Sequence, residues 1–309
     1  MAMSNILQAV GNTALLKLSR MTAEDSADIY VKCEHLNPGG SIKIRPALNM
    51  INAAISEGKL QKGSIICEPT SGNQGIALAL IGSCLGFEVV IIMPENMSKE
   101  RQSLIKAYGA KIILTPAGNN IEEAIMMAKA KSEEIAAADP RVFLPKQFEN
   151  PHNPVAHYGT GQEILAKLDA PIDMFISGFG TGGTLSGIGK AFKERYPACR
   201  IICAEPDMAA ILAGKPIGHH VQMGIGDGFI PPNLNTDLID ETFEVSDAEA
   251  ISTAQRLARE EGLFVGISSG TNVFTALHFA KKLGKGKTIV TVLPDDGSRY
   301  LSLPQFAAQ

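Results

Sequence analysis

Short runs of β-branched and apolar residues recur along this chain, each followed by a longer amphipathic stretch. That alternation restricts the fold more than any other feature. The spacing predicts strands over residues 64–68, 87–93, 111–114, 142–144, 173–177, 200–205 and 288–293. Helices are predicted over 75–85, 98–108, 121–138, 184–196, 247–261 and 271–283. Strands this apolar on both faces need helices over each side, so the pattern calls for parallel sheets in an α/β architecture. With 309 residues, 45% of them hydrophobic, the chain can bury one large core or two modest ones. The Pro- and Asn-rich stretch 145–154 is the expected crossing between two lobes.

Charge excludes some function classes. The formal net charge is −4 with both signs interspersed, which gives no electrostatic case for nucleic acid or an anionic membrane. The first residues lack a basic stretch leading into a long apolar one, so no secretory leader is expected. The longest apolar stretches, 76–81 and 89–93, fall far short of the roughly 20 residues a bilayer-spanning helix needs. Five cysteines make an odd number in apolar surroundings, and no histidine follows Cys199 and Cys203 at zinc spacing. Reduced, buried thiols in a cytoplasmic protein without a metal site are expected.

Four segments carry candidate chemistry. Lys43 stands in Asn37-Pro-Gly-Gly-Ser-Ile-Lys-Ile-Arg45, where a glycine turn precedes a helix start. A lysine forms a Schiff base with an aldehyde only when its amine is neutral and held in place, and this framing suits that; a solvated lysine is the plain alternative. The strand ending at Glu68 runs into Pro69-Thr-Ser-Gly-Asn-Gln-Gly75 and a helix, which makes either a carboxylate seat or an ordinary capped turn. Ser177-Gly-Phe-Gly-Thr-Gly-Gly-Thr184 places four glycines between residues 178 and 183 before another helix. It lacks the Gly-Lys-Ser/Thr of a Walker loop, and Glu205 lies too far along for a dinucleotide fingerprint. A single monophosphate is the better ligand, with backbone packing as the alternative. In Gly266-Ile-Ser-Ser-Gly270 the serines could donate to a heteroaromatic nitrogen or cap a helix.

Taken together, these residues resemble the fold-type II pyridoxal phosphate enzymes, specifically the cysteine synthase and cystathionine β-synthase family. The matching pieces run in order from Val10-Gly-Asn-Thr13 through the Lys43 segment, residues 70–75, Gln147-Phe148, 180–184, 224–231 and 266–270 to Leu293-Pro-Asp-Asp-Gly297. The resemblance implies two three-layer αβα lobes with largely parallel sheets, like the tryptophan synthase β subunit, and pyridoxal 5′-phosphate in the cleft between them. Residues 1–42 and 151–309 would form the larger, cofactor-binding lobe, and residues 43–150 the smaller, mobile, substrate-binding one. It also implies a homodimer.

The resemblance assigns roles residue by residue. Lys43 would form the internal aldimine and then act as the base that removes the α-proton. Asn73 would bond the cofactor's 3′ oxygen. Gly180, Thr181, Gly182, Gly183 and Thr184 would bind the phosphate, and Ser268 the pyridine nitrogen. Thr70, Ser71, Gly72, Gln74 and Gln147 would hold the substrate.

Three positions depart from the usual cysteine synthase wording. Ile44 stands where Asp is frequent, at a position already variable. Gln74 replaces the common Thr, and its longer amide could reshape the substrate space or replace a hydroxyl contact. Asp227, in Gly224-Ile-Gly-Asp-Gly-Phe-Ile230, replaces the usual Ala. It is either a general base beside the aminoacrylate intermediate or a turn aspartate bonding its own backbone. The implied reaction is β-replacement on a serine- or cysteine-type amino acid, making L-cysteine from O-acetylserine and sulfide. One alternative runs on cysteine, releases hydrogen sulfide and adds water or another nucleophile with Asp227 as base. Another is cystathionine formation. A catalytically silent binding protein would not be expected to retain Lys43, Asn73, the glycine loop and Ser268.

Overall fold

The structure, a computed structural model, describes residues 3–70, 72–118 and 121–307, without the side chains of 121 and 122. The chain begins with strands β1 (Leu15–Lys17) and β2 (Asp28–Lys32), then helix α1 (Ile44–Ser56). There follow β3 (Ile65–Pro69), α2 (Asn73–Leu85), β4 (Glu88–Pro94), α3 (Lys99–Ala107), β5 (Lys111–Thr115), α4 (Ile121–Ala138) and β6 (Val142–Phe143). The remainder comprises α5 (His152–Leu165), β7 (Met174–Gly178), α6 (Gly183–Arg195), β8 (Arg200–Pro206), β9 (Glu241–Val245), α7 (Asp247–Glu261), α8 (Ile267–Leu283), β10 (Thr288–Val292) and the short α9 (Pro304–Ala307). They form two compact units: one of Met1–Val10 with Asn37–Asn153, the other of Gly11–Leu36 with Pro154–Gln309.

In the first unit the strands run β5-β4-β3-β6, all parallel. Successive strand residues point to opposite faces, and both faces are apolar. Ile66, Val89, Ile91 and Met93 join residues of α1 and α2 in one core, whereas Ile65, Cys67, Val90 and Ile92 join Ala128 of α4 in another. Each fully buried branched side chain contributes about 1.5–3 kcal/mol relative to exposure. Helix α2 is buried throughout 74–82, so it reads as an enclosed helix rather than an amphipathic one.

The second unit holds the order β1-β2-β10-β7-β8-β9, with only the β1–β2 pair antiparallel. The same alternation sends Met174, Ile176, Ile202 and Ile289 toward α8 and sends Phe175, Ile201, Cys203 and Val290 toward α6. The mixed α/β architecture with mostly parallel sheets is therefore the one the strand pattern called for. Among the described residues no helix is long and apolar enough to cross a membrane.

The sequence pattern gives no strand at 15–17, 28–32 or 241–245 and no helix at 152–165. In β2 the charged ends mislead. Lys32 is fully buried, and its Nζ donates to Thr13 O at 2.9 Å and to Glu163 at 2.7 Å. Strand β9 pairs only with β8 and reads polar because one edge stays open. Helix α5 carries glycines; a Cβ on Gly161 would lie 2.7 Å from Ala191 Cβ, so the close crossing with α6 requires that residue. Helix α8 starts at Ile267, four residues before the predicted 271, and 263–265 forms no strand beyond the isolated Val265–Asp296 bridge. Position 270 in that helix must be glycine, because the Ala250 carbonyl packs where a side chain would be.

Candidate active site

Helix beginnings separate the candidate loops from two other helix starts, those of α3 and α7. Helix α3 is capped by Ser98, whose Oγ accepts the Arg101 N–H at 3.4 Å. Helix α7 has a full capping box between Ser246 and Glu249. By contrast α1, α2, α6 and α8 start at Lys43, Gly72, Gly182 and Gly266 with no side-chain cap. A helix start that no side chain caps, with its positive end, suits an anionic or polar ligand. These four starts are the four segments singled out in the sequence.

In the first unit, Gly39 and Gly40 take positive φ values of 76° and 69°. A Cβ on Gly39 would lie 3.3 Å from Leu80 Cδ1, so the turn lies against α2. The half-buried Lys43 then occupies the N-cap of α1. Thr70 is buried at the end of β3 and its Oγ1 accepts the Gly72 N–H at 3.3 Å. Ser71 lies outside the described residues. Asn73, half-buried, is the first residue of α2. Gln74 follows at 2% exposure, and among the described residues neither its Oε1 nor its Nε2 has a hydrogen-bond partner. A buried amide left in this state costs about 1–3 kcal/mol for each unsatisfied group. Gln147, 6% exposed, is joined to this loop: its Nε2 donates to Pro69 O at 3.5 Å.

In the second unit, the glycine loop connects β7 to α6. Gly182 has φ 79°, and a Cβ there would lie 2.7 Å from Leu234 backbone atoms, so only glycine fits. Gly180, Thr181 and Gly183 are buried. Thr184 is half-buried, with Oγ1 3.4 Å from Nε2 of the buried His157. Ser268 is 4% exposed in the first turn of α8. The loop and α8 are tied through Asn272, whose Oδ1 accepts the Gly178 N–H at 2.8 Å and whose Nδ2 donates to Val292 O at 2.9 Å.

Asp227 joins the same group. A Cβ on Gly180 would strike the Gly224 carbonyl and lie 3.2 Å from Asp227 Oδ2. The structure thus brings Asp227, half-buried, against the glycine loop. His220 holds that segment: its Nδ1 accepts the Gln222 N–H at 3.2 Å, which leaves Nε2 as the donor to Gly226 O at 3.0 Å. Gln222, fully buried, accepts from Thr271 Oγ1 at 2.7 Å and donates to Val245 O at 2.9 Å. A chain of hydrogen bonds therefore runs from α8 to the Asp227 loop.

Sequence reasoning missed His220 and Gln222, which are polar residues without a motif. It also passed over Arg101. Arg101 is 3% exposed, and a Cβ on Gly72 would lie 2.5 Å from its Cδ, so a buried arginine lies against the start of α2. The available signal was an arginine in the first turn of α3.

Known proteins give these observations a context. The family described as Pyridoxal-phosphate dependent enzyme matches residues 6–295. A cysteine synthase from Staphylococcus aureus is 47% identical over 305 residues, 98% of this chain and 97% of its own. The crystal structure of a cysteine synthase from Entamoeba histolytica superposes with a TM-score of 0.94 at 35% identity, covering 100% of this chain and 92% of that one. A hydrogen sulfide-producing enzyme from Fusobacterium nucleatum superposes at 0.92 with 38% identity, over 97% of this chain and 100% of its own.

Proposed function

The chain belongs to the family of pyridoxal-phosphate dependent enzymes and is of the cysteine synthase type, and we propose that it makes L-cysteine from O-acetyl-L-serine and sulfide. The reaction class is β-replacement with pyridoxal phosphate as cofactor. The observation that carries the site assignment is the set of four uncapped helix starts at Lys43, Gly72, Gly182 and Gly266.

The residues fit the cofactor. The start of α6 offers N–H groups to a phosphate, and Gly182 could not be any larger residue. When bound, pyridoxal phosphate supplies the electron sink that lets an amino acid lose its α-proton and β-substituent. The second unit would hold the phosphate through residues 180–184 and place the Ser268 hydroxyl on the ring nitrogen as a neutral partner. The first unit would supply the Lys43 amine, which holds the cofactor and then takes the α-proton at Nζ. Asn73 would bond the ring oxygen.

The substrate carboxylate would sit at the start of α2, with Thr70, Ser71, Gly72 and Gln147 around it and Arg101 adding positive charge. Gln74 would give its idle amide to the substrate. A homodimer in the cytoplasm is the expected working form. Burial drives three of the five thiols up to about 12, which keeps them protonated and suits a reducing compartment.

A second reading is favoured by Asp227, whose carboxylate lies beside Gly180 in a loop that His220 ties through Gln222 and Gly226. Here L-cysteine is the substrate, hydrogen sulfide leaves, and the Asp227 carboxylate takes a proton from the water that adds, giving L-serine. The test compares cysteine formation from O-acetyl-L-serine plus sulfide with sulfide and serine formation from L-cysteine. Efficient synthesis with little sulfide release supports the first reading. Dominant sulfide release that falls about a hundredfold or more in Asp227→Ala, the size of a general-base contribution, supports the second. Neither activity in the cofactor-loaded protein would refute both.

A further inference from the structure

Glu68 lies in β3, two residues before Thr70, and is 1% exposed. Its carboxylate is fully engaged. Oε1 accepts the Gln147 N–H at 3.0 Å and Oε2 accepts the Lys146 N–H at 2.9 Å. Two consecutive amides on the two oxygens of one carboxylate fix a turn firmly, because hydrogen bonds to a charged acceptor are about twice as strong as neutral ones. The turn needs that hold. Lys146 has φ 54°, a left-handed conformation that costs a non-glycine residue on the order of 1 kcal/mol. Gln147 is secured from its other side as well, since its carbonyl accepts from Asn153 Nδ2 at 2.8 Å.

A buried carboxylate 78 residues away in sequence is an expensive way to close a loop. A backbone carbonyl or a glycine would do so without desolvating a charge. What the carboxylate adds is placement of the residue that follows Lys146. We propose that Glu68 is a positioning residue: its carboxylate sets the Lys146–Gln147 turn and thereby aims the Gln147 amide at the substrate's α-carboxylate. This rests on the reading of Gln147 as part of the carboxylate seat.

The same geometry makes the seat sensitive to pH. A protonated Glu68 must surrender one of its two N–H bonds. Burial pushes this carboxyl up to about 7; the N–H groups of Gln147 and Lys146 oppose the rise, nearby Glu149 adds to it and the Lys146 charge reduces it. The charged, turn-setting form therefore prevails above neutrality and is lost as pH falls through it.

The experiment measures kcat and KM for O-acetyl-L-serine in the cofactor-loaded wild type, Glu68→Gln and Gln147→Ala across neutral pH. Binding is read independently from the substrate-induced change in cofactor absorbance. In Glu68→Gln the side-chain amide can accept from only one of the two N–H groups and faces the other with its own. KM and the half-saturation point should rise about tenfold, the equivalent of one charge-assisted hydrogen bond, with kcat changed less than about twofold. The wild-type KM should climb as pH falls through neutrality more steeply than protonation of the substrate amine alone requires, and that extra slope should vanish in both variants. The inference is overturned if Gln147→Ala raises KM while Glu68→Gln keeps the wild-type KM and slope. An unchanged KM in Gln147→Ala overturns the seat assignment itself, and the Glu68 role with it. Should Glu68→Gln not fold, persistence of the extra slope in Gln147→Ala alone rejects the proposal.

Discussion

At the scale of single residues, Gln74 is the side chain whose state in the fold is hardest to explain by folding alone. Its amide is buried at 2% exposure with neither polar atom bonded among the described residues. Leucine has a similar volume and no polar atoms to leave unsatisfied, so Gln74→Leu should relieve that cost. The variant is expected to melt about 2–4 °C higher for each kcal/mol recovered, while its KM for the amino acid rises severalfold. Scanning calorimetry and steady-state kinetics on the loaded enzyme read the two effects. A variant that melts no higher and binds substrate as before would show that Gln74 does not face a ligand. Gln74 drew notice in the sequence because it lies inside a recognisable loop. Glu68, His220 and Gln222 were not, because their meaning comes from partners brought near by folding. The amides that Glu68 accepts belong to residues 78 and 79 positions further on.

At the scale of elements, the same structural feature, a helix start, serves two purposes that can be separated. Ser246 and Glu249 cap α7 reciprocally, far in function from the candidate loops. Ser246→Ala should cost about 1 kcal/mol of stability and leave kcat and KM unchanged. Gly182→Ala at the start of α6 should do the reverse. Its Cβ would press on Leu234 backbone 2.7 Å away and displace the loop. Cofactor affinity, measured by titration of the cofactor-free protein, should fall at least about tenfold, a loss comparable to one charge-assisted hydrogen bond, with a smaller change in melting temperature of the cofactor-free form. If instead Ser246→Ala impairs catalysis, or Gly182→Ala binds cofactor normally, the division between structural and ligand-binding helix starts is wrong. Strands β3, β4, β7, β8 and β10 were readable because apolar residues fill both of their faces. Strand β2, with its buried lysine, and helix α5, with a glycine fitted to α6, were hidden because tertiary contacts outweighed local pattern.

At the scale of the whole molecule, parallel pairing was legible but strand order was not. Strand β2 near the beginning of the chain pairs with β10 near its end, and nothing local records that neighbour. Each unit is likewise assembled from separated stretches of chain. The chemistry depends on the Lys43 amine being the group that holds the cofactor, since every other role is defined around that attachment. The most direct measurement is borohydride reduction of the cofactor-loaded enzyme, which adds hydride to fix the cofactor on the nitrogen that carries it, followed by peptide mass mapping. The modification should fall on Lys43 alone and be absent from Lys43→Ala. Modification of a different lysine, or full turnover by Lys43→Ala, would contradict the mechanism at its centre.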